Sequence, residues 1–411
     1  MKILFVLGCP NPFPGAGWTR IRFFANAWSD KGHLIEVLGA FSYKSLQKRG
    51  GRKQGKVNIF NLVLNMGLNH PLIFALNSVI SFIVSTFFLI ARNPDIVIVS
   101  VPRGDVGLGS LLASIFLKKK VVVDYRDDWE DYTILHTKSS IAKTIYKRSK
   151  KFTILVYTKA YMVVSVTPTW VATLKAGGVQ KVYLIPDGAD VKTFRPCNRN
   201  EVRLQLGLPT ESFITLFTGK LGGYYMLSET MKAFSVFQKR EKYASVKLLL
   251  IGGQDKSEKY ANEIMGLSEK LGIDNSVICL SGTCDHSKLA KIIASADVGL
   301  IPLDKQRGFV WPAKFFEYCA CGLPVIATVQ ADSILGKLIH TYDIGLTVPP
   351  NNYMQLANAL AKIYEDSGFR SKVKRRARQM VKQHFDCNKW AKELLELLKM
   401  NMHKKANFTQ S

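Results

Sequence analysis

Trp311-Pro-Ala-Lys-Phe-Phe-Glu-Tyr-Cys-Ala-Cys-Gly-Leu-Pro-Val-Ile-Ala-Thr328 is the stretch that decides how this chain folds. Pro312 suits the first turn of a helix, where its missing N–H is not needed. Gly322 stops that helix, and Pro324–Thr328 reads as a short buried strand. Lys314 and Glu317 stand three residues apart, so both lie on one helix face near its positive end. A helix start with free amides, a lysine and a carboxylate suits a phosphate and a nearby pair of sugar hydroxyls. The same residues also fit an ordinary capped helix whose Lys and Glu form a weak surface pair.

The helix-and-strand alternation continues in both directions. Just upstream, Ala296–Pro302 is a strand that reaches Trp311 through the loop 303–310. Further back, Phe213–Thr218 is a strand, Gly219-Lys-Leu-Gly-Gly223 a turn and Leu227–Lys239 a helix. A glycine loop with a lysine between strand and helix can cradle a diphosphate, which singles out Gly219 and Lys220. Val246–Gly253, Val277–Gly282 and Gly345–Pro350 are further strands, and helices follow at 355–365, 369–385 and 390–399.

The first half of the chain repeats the scheme. Lys2–Leu7 is a strand, Gly8–Gly17 a Gly/Pro-rich turn and Arg20–Lys31 a helix closed by Gly32. That order brings backbone close to a phosphate, although the turn lacks the G-x-G-x-x-G spacing. His33 reads as structural. Tyr43–Lys56 is a polar, basic loop. Pro71–Ala91 is almost long and apolar enough to span a bilayer, but Asn77, Ser78, Ser81, Ser85 and Thr86 interrupt it and a strand, Pro94–Ser100, follows at once. It therefore reads as a buried or interface-lying helix. Lys118–Trp129 is strand then loop, delivering Asp124, Arg126, Asp127 and Asp128 to a strand's carboxyl end, where open α/β sheets bind ligands. These carboxylates could accept a hydroxyl proton or hold sugar hydroxyls; equally, the Arg and Asp could pair with each other. No His joins them, so a metal site is not expected. Ser139–Lys159 mixes six basic residues with apolar ones, as a helix on an anionic bilayer or a solvated charged face would.

A length of 411 residues fits two domains rather than one core, and an apolar fraction of 47% argues against extensive disorder. The seven cysteines include no C-x-x-C pair, which points away from zinc and disulfide frameworks and towards a reducing, cytoplasmic setting. Met1–Leu7 is too short for a signal peptide. The net charge is +26, of which residues 1–195 carry +16 (27 Lys/Arg against 11 Asp/Glu). Such a field favours nucleic acid, an anionic membrane or phosphorylated substrates. No nucleic-acid motif accompanies it, so the membrane surface is the better partner.

Lys-Phe-Phe-Glu-Tyr-Cys-Ala-Cys-Gly-Leu-Pro-Val-Ile-Ala closely resembles the Lys-x-x-Glu-Tyr-x-Ala-x-Gly-x-Pro-Val-Ile-Ala run of family-4-type retaining glycosyltransferases of the GT-B fold. Lys181-Val-Tyr-Leu-Ile-Pro-Asp-Gly-Ala-Asp-Val-Lys-Thr-Phe-Arg-Pro196 resembles the run that ends their first domain, with Asp187 for the usual Asn. Arg126-Asp-Asp-Trp129 resembles a motif of members that assemble surface polysaccharides. The resemblance implies an α/β, GT-B architecture: two Rossmann-like domains with an interdomain cleft and a C-terminal crossover helix. It divides the chain into an acceptor-side domain at 1–195, a nucleotide-sugar domain at 196–386 and a returning helix with a short tail at 387–411.

By the same resemblance, Glu317 binds the donor's ribose, Gly219, Lys220, Lys314, Gly15 and Gly17 line the donor, and Arg20 and Arg126 lie on the acceptor side. Asp127 or Asp128 would carry the chemistry on the reacting sugar or acceptor. Besides Asp187, other positions depart from the family: Phe309 stands where many members have a second Glu, Lys220 where they usually have Arg, and Tyr225 where they have a second Lys. The expected activity is transfer of a sugar, with retention, from a UDP- or GDP-linked donor to a saccharide or polyprenyl-linked acceptor at the inner face of the cytoplasmic membrane. No cofactor or metal is expected. An epimerase or phosphorylase of the same fold, or a silent nucleotide-sugar-binding subunit, is the alternative.

Overall fold

The computed structural model describes residues 1–11, 16–67, 70–101, 104–221, 225–240, 245–252, 257–281, 285–305 and 310–403. They form two compact units, one of Met1–Pro186 together with the chain from Ala391 on, the other of Asp187–Trp390.

The first unit runs β1 (Lys2–Leu7), α1 (Ala16–Ser29), β2 (Leu34–Phe41), β3 (Gly50–Gln54), β4 (Val57–Leu64), α2 (Pro71–Arg92), β5 (Ile96–Val101), α3 (Gly104–Phe116), β6 (Val121–Tyr125), α4 (Trp129–His136), α5 (Ser140–Tyr157), β7 (Met162–Ser165), α6 (Pro168–Ala176) and β8 (Val182–Leu184). Its sheet has the order β3-β4-β2-β1-β5-β6-β7-β8, and every pairing is parallel except β3 with β4. Parallel strands with helices on both faces have no wet side, which is why β5 (Ile-Val-Ile-Val-Ser-Val) is buried along its whole length.

Two local features differ from the expectation. The basic stretch 43–56 is not all loop: it holds a 3-10 turn at Tyr43–Lys48 and the edge strand β3, which pairs antiparallel with β4. The exposed Arg52, Lys53 and Gln54 hide the strand from a hydrophobicity reading, and charge on an edge strand discourages further pairing. α1 also begins at Ala16 rather than at Arg20. The apolar helix α2 is the crossover from β4 to β5 within this sheet.

The second unit runs α7 (Arg199–Leu206), β9 (Phe213–Thr218), α8 (Leu227–Gln238), β10 (Val246–Gly252), α9 (Ser257–Leu271), β11 (Val277–Ser281), α10 (His286–Ser295), β12 (Val298–Ile301), α11 (Ala313–Ala320), β13 (Val325–Thr328), α12 (Ile334–Tyr342), β14 (Gly345–Val348), α13 (Tyr353–Glu365) and α14 (Ser367–His384). Its sheet is parallel throughout, in the order β11-β10-β9-β12-β13-β14. Arg203 of α7 is wholly buried and ties the start of β12 to the chain before β9, donating to Asp297 (2.7 Å), Ser295 O (2.9 Å) and Ser212 O (2.7 Å). The last helix, α15 (Cys387–His403), belongs to the first unit from Ala391 on, and there Trp28 Nε1 of α1 donates to Ala391 O at 2.8 Å.

Candidate functional site

In the second unit the chain leaves β9 for β10 on one side and β12 for β13 on the other. The crevice at the carboxyl ends of β9 and β12 is therefore the topological switch point, where open parallel sheets bind ligands. β9 ends at Thr218, and Gly219 follows with φ +131°, a conformation that side chains disfavour. Lys220 comes next and is exposed. The chain beyond is tied to the end of β12, through the bridge of Tyr225 with Leu303 and through Met226 N donating to Pro302 O at 2.8 Å.

α11 enters this crevice with its amino end. Pro312 is the residue before the first helical one, with ψ 137°, and not part of the first turn, so no side chain caps the helix. Gly322, with φ +80°, ends it as the sequence suggested. Tyr318 fixes the helix against the sheet: its hydroxyl accepts from Thr218 N at 2.8 Å and lies 3.1 Å from Thr218 Oγ1. The close fit depends on Gly299 of β12, where a Cβ would lie 2.3 Å from the Tyr318 ring.

Lys314 is the unusual group. The residue is 7% exposed, and its Nζ has no hydrogen-bond partner among the described residues. The ammonium sits between two aromatic faces, 3.9 Å from the Phe217 ring centroid and 3.7 Å from that of Tyr225. A Cβ on Gly219 would come within 2.7 Å of it. Two cation–π contacts compensate part of the lost hydration, yet burial still holds Lys314 well below the ordinary lysine range, with Glu317 pulling the other way. Burial likewise pushes Glu317 up to about 7, opposed by Lys314 and reinforced by Asp187. Lys314 is thus a buried group and Glu317 a half-buried carboxylate on the same helix, not the exposed pair of an ordinary capped helix.

The sequence reading brought Gly219, Lys220, Lys314 and Glu317 together, and the structure gathers them at one switch point. Tyr225, which departs from the resembled pattern, is the ring against which Lys314 packs. Phe217, Thr218, Tyr318 and Gly299 were missed. Only Tyr318 carried a local signal, as a polar aromatic in an otherwise apolar run. Phe309, Gly222 and Gly223 lie outside the described residues.

In the first unit the carboxyl edge of the sheet gathers a second set. Arg20 is buried: it pairs with Asp124 (Nη2 to Oδ1, 3.2 Å) and donates to Ile185 O (2.8 Å) and Pro186 O (3.0 Å). Its guanidinium braces α1 to β6 and to the chain after β8. Arg126 donates to Gly17 O (2.8 Å) and Ser100 Oγ (3.1 Å), clamping the first turn of α1. Gly17 thus meets Arg126, and Gly15 lies outside the described residues. Asp128 caps α4, accepting from Asp131 N at 3.2 Å, and is ion-paired with Lys150 at 2.7 Å. Asp127 stands half-buried at the same edge. Glu130, unnoticed in the sequence, is buried there too, and burial together with Asp128 pushes it up to about 8. Among the described residues no group of three or more His, Cys, Asp or Glu is arranged to hold a metal.

The whole chain superposes on sucrose-phosphate synthase from Thermosynechococcus elongatus, with a TM-score of 0.77, 19% identity and full coverage of both chains. The fold is GT-B. The GT-B structure of Anabaena HepE in complex with UDP-glucose is also similar, with a TM-score of 0.72 and 17% identity over 97% of this chain and 100% of the other. At such identities the likeness carries the fold alone. Residues 198–380, most of the second unit, match the model of the family described as glycosyl transferases group 1. Among curated proteins, D-inositol 3-phosphate glycosyltransferase of Actinosynnema mirum is 28% identical over 201 residues, 48% of this chain and 46% of that protein. The chain thus matches about half the length of such relatives.

Proposed function

We propose that this GT-B chain is a glycosyltransferase that takes a sugar from a nucleoside-diphosphate sugar, UDP- or GDP-linked, and passes it with retained configuration to a saccharide or polyprenyl-linked acceptor at a membrane. The observation that carries the proposal is the Lys314 Nζ, buried at the switch point of the second unit without an oxygen partner among the described residues. A desolvated ammonium without an acceptor is costly, and a diphosphate supplies the missing oxygens. Lys220 on the adjoining turn adds a second cation. Positive charge there stabilises the nucleoside diphosphate as it departs with developing negative charge. Glu317, three residues along α11, holds the ribose hydroxyls.

Asp127 or Asp128 attends the reacting sugar or acceptor, with Arg20 and Arg126 on the acceptor side and Gly17 beside the donor. The reaction needs neither metal nor cofactor, and the protein works on the cytoplasmic side of the membrane in surface polysaccharide synthesis. The D-inositol 3-phosphate glycosyltransferase match supports a second acceptor class, a small phosphorylated polyol, which the chain's positive charge also suits.

The test is incubation of the purified chain with UDP- and GDP-sugars, alone and with polyprenyl-linked saccharides or phosphorylated polyols. Acceptor-dependent release of nucleoside diphosphate, with an α-linked product from an α-linked donor, is expected. A donor altered without any acceptor would mean an epimerase. Donor binding without turnover across the acceptor panel would mean a silent binding subunit.

A further inference from the structure

α2 has the opposite polarity to a helix bathed in water. Its polar residues point inward, with Asn77, Ser81 and Ser85 essentially inaccessible. They are bonded to α3: Asn77 Nδ2 donates to Asp105 Oδ2 at 2.8 Å, Ser81 Oγ donates to Val106 O at 2.7 Å, and Ser81 and Ser85 each lie 2.9 Å from Ser110 Oγ. Gly109 permits this approach, since a Cβ there would lie 2.1 Å from Ser78 O. Phe88 and Leu89 near its end are buried, but a full row of large apolar side chains goes outward. Leu72, Leu76, Val79, Ile83, Phe87 and Ile90 recur every three or four residues along one face and are 44–73% exposed. A helix at a protein–water boundary shows the reverse arrangement, and a monomer rarely exposes so long an apolar stripe.

α5 touches α2 and repeats the theme. Its Ile141, Ile145, Phe152 and Leu155 are 44–76% exposed, and the exposed Lys147, Arg148 and Lys151 stand among them. Apolar side chains interleaved with cations on one surface match the headgroup–acyl boundary of an anionic bilayer. A second copy of the chain would bring the same cations together, and a net charge of +26 opposes that.

We propose that the outer faces of α2 and α5 form an in-plane anchor that seats the first unit on an anionic lipid surface, with α2 lying along the boundary and not across it. The inference deepens the membrane side of the proposed function and does not depend on the donor chemistry.

The test uses the full chain with vesicles of phosphatidylcholine, alone or mixed with phosphatidylglycerol. The wild type should float with the mixed vesicles. The triple substitution Val79→Ser, Ile83→Ser, Phe87→Ser should lower that affinity about a hundredfold, since each side chain would bury apolar surface in lipid, while leaving the Tm unchanged. Lys147→Ser, Arg148→Ser, Lys151→Ser should weaken binding at low salt and lose its effect at high salt. Phe87→Trp should shift its fluorescence to the blue on mixed vesicles and be quenched by brominated acyl chains. The proposal is overturned if the wild type stays in solution, or if the Val79/Ile83/Phe87 variant binds equally well. It is also overturned if Trp at position 87 remains solvent-exposed, or if the wild type is a lipid-free dimer that this variant dissociates. Loss or absence of glycosyl transfer would leave each of these readings intact.

Discussion

Replacing Glu317 by Gln separates what this carboxylate does to the fold from what it does for a ligand. Burial raises it from 4.5 to about 7. The folded protein therefore holds this proton more tightly than the unfolded chain does. Its contribution to stability is complete below pH 4.5 and is lost as the pH rises to about 7. At about 1.4 kcal/mol for each tenfold in proton affinity, the loss between those values amounts to ~3 kcal/mol. Gln carries no charge to desolvate. Glu317→Gln should thus be more stable than wild type by up to ~3 kcal/mol at pH 8 and level with it at pH 4. The same change removes a charge-assisted acceptor worth about 1.5–3 kcal/mol, so nucleotide-sugar affinity should fall by roughly one to two orders of magnitude. Urea unfolding followed by tryptophan fluorescence at both pH values, with calorimetric titration of the donor, reads both effects. A gain in stability joined to a loss of affinity is the signature of a residue kept for its site. A variant less stable than wild type at pH 8 with unchanged donor affinity would refute the reasoning and make Glu317 a structural partner of Lys314.

Tyr318→Phe leaves the buried Thr218 N–H without its acceptor and should cost about 1–3 kcal/mol, with weaker nucleoside diphosphate binding because the turn at Gly219 loses its anchor; chemical denaturation and calorimetry check the two parts. Gly219→Ala forces a Cβ against the Lys314 ammonium at φ +131°, a strain of order 1–3 kcal/mol, and should weaken nucleoside diphosphate binding much more than it changes secondary structure by circular dichroism. Glu130, raised to about 8, contributes stability that is lost as the pH rises from 4.5 to about 8; Glu130→Gln should therefore gain on wild type at pH 9 and match it at pH 4 in thermal unfolding, and an equal offset at both values would disprove the burial argument.

Much of this fold was legible because parallel strands announce themselves. Lys2–Leu7, Phe213–Thr218 and Val325–Thr328 are apolar runs bounded by glycine or proline, and each became a strand of two-sided burial. The hairpin of β3 and β4 was not, since an edge strand of Gly, Arg, Lys and Gln carries no periodic signal. The inside-out character of α2 was half visible: Asn77, Ser81 and Ser85 recur every four residues, but their spacing alone does not say which face meets α3. At the site, Lys314 and Glu317 were legible as a pair on one face. The burial of Lys314 was not, because it depends on Phe217, Tyr225 and Gly219, which lie far away in sequence. Asp128 could have been recognised as a helix cap from the acidic residues just after it. Its partner Lys150, twenty-two residues on, could not.

The central claim is that the switch point of the second unit holds the diphosphate of a sugar nucleotide. Its most direct test is calorimetric titration of the wild-type chain with UDP, GDP and the matching nucleosides. One nucleoside diphosphate should bind much more tightly than its nucleoside, and at a hundredfold its dissociation constant should stabilise the fold by about 2.7 kcal/mol. If no nucleoside diphosphate binds, or if nucleoside and diphosphate bind equally, the buried Lys314 is not a phosphate partner and the account is wrong.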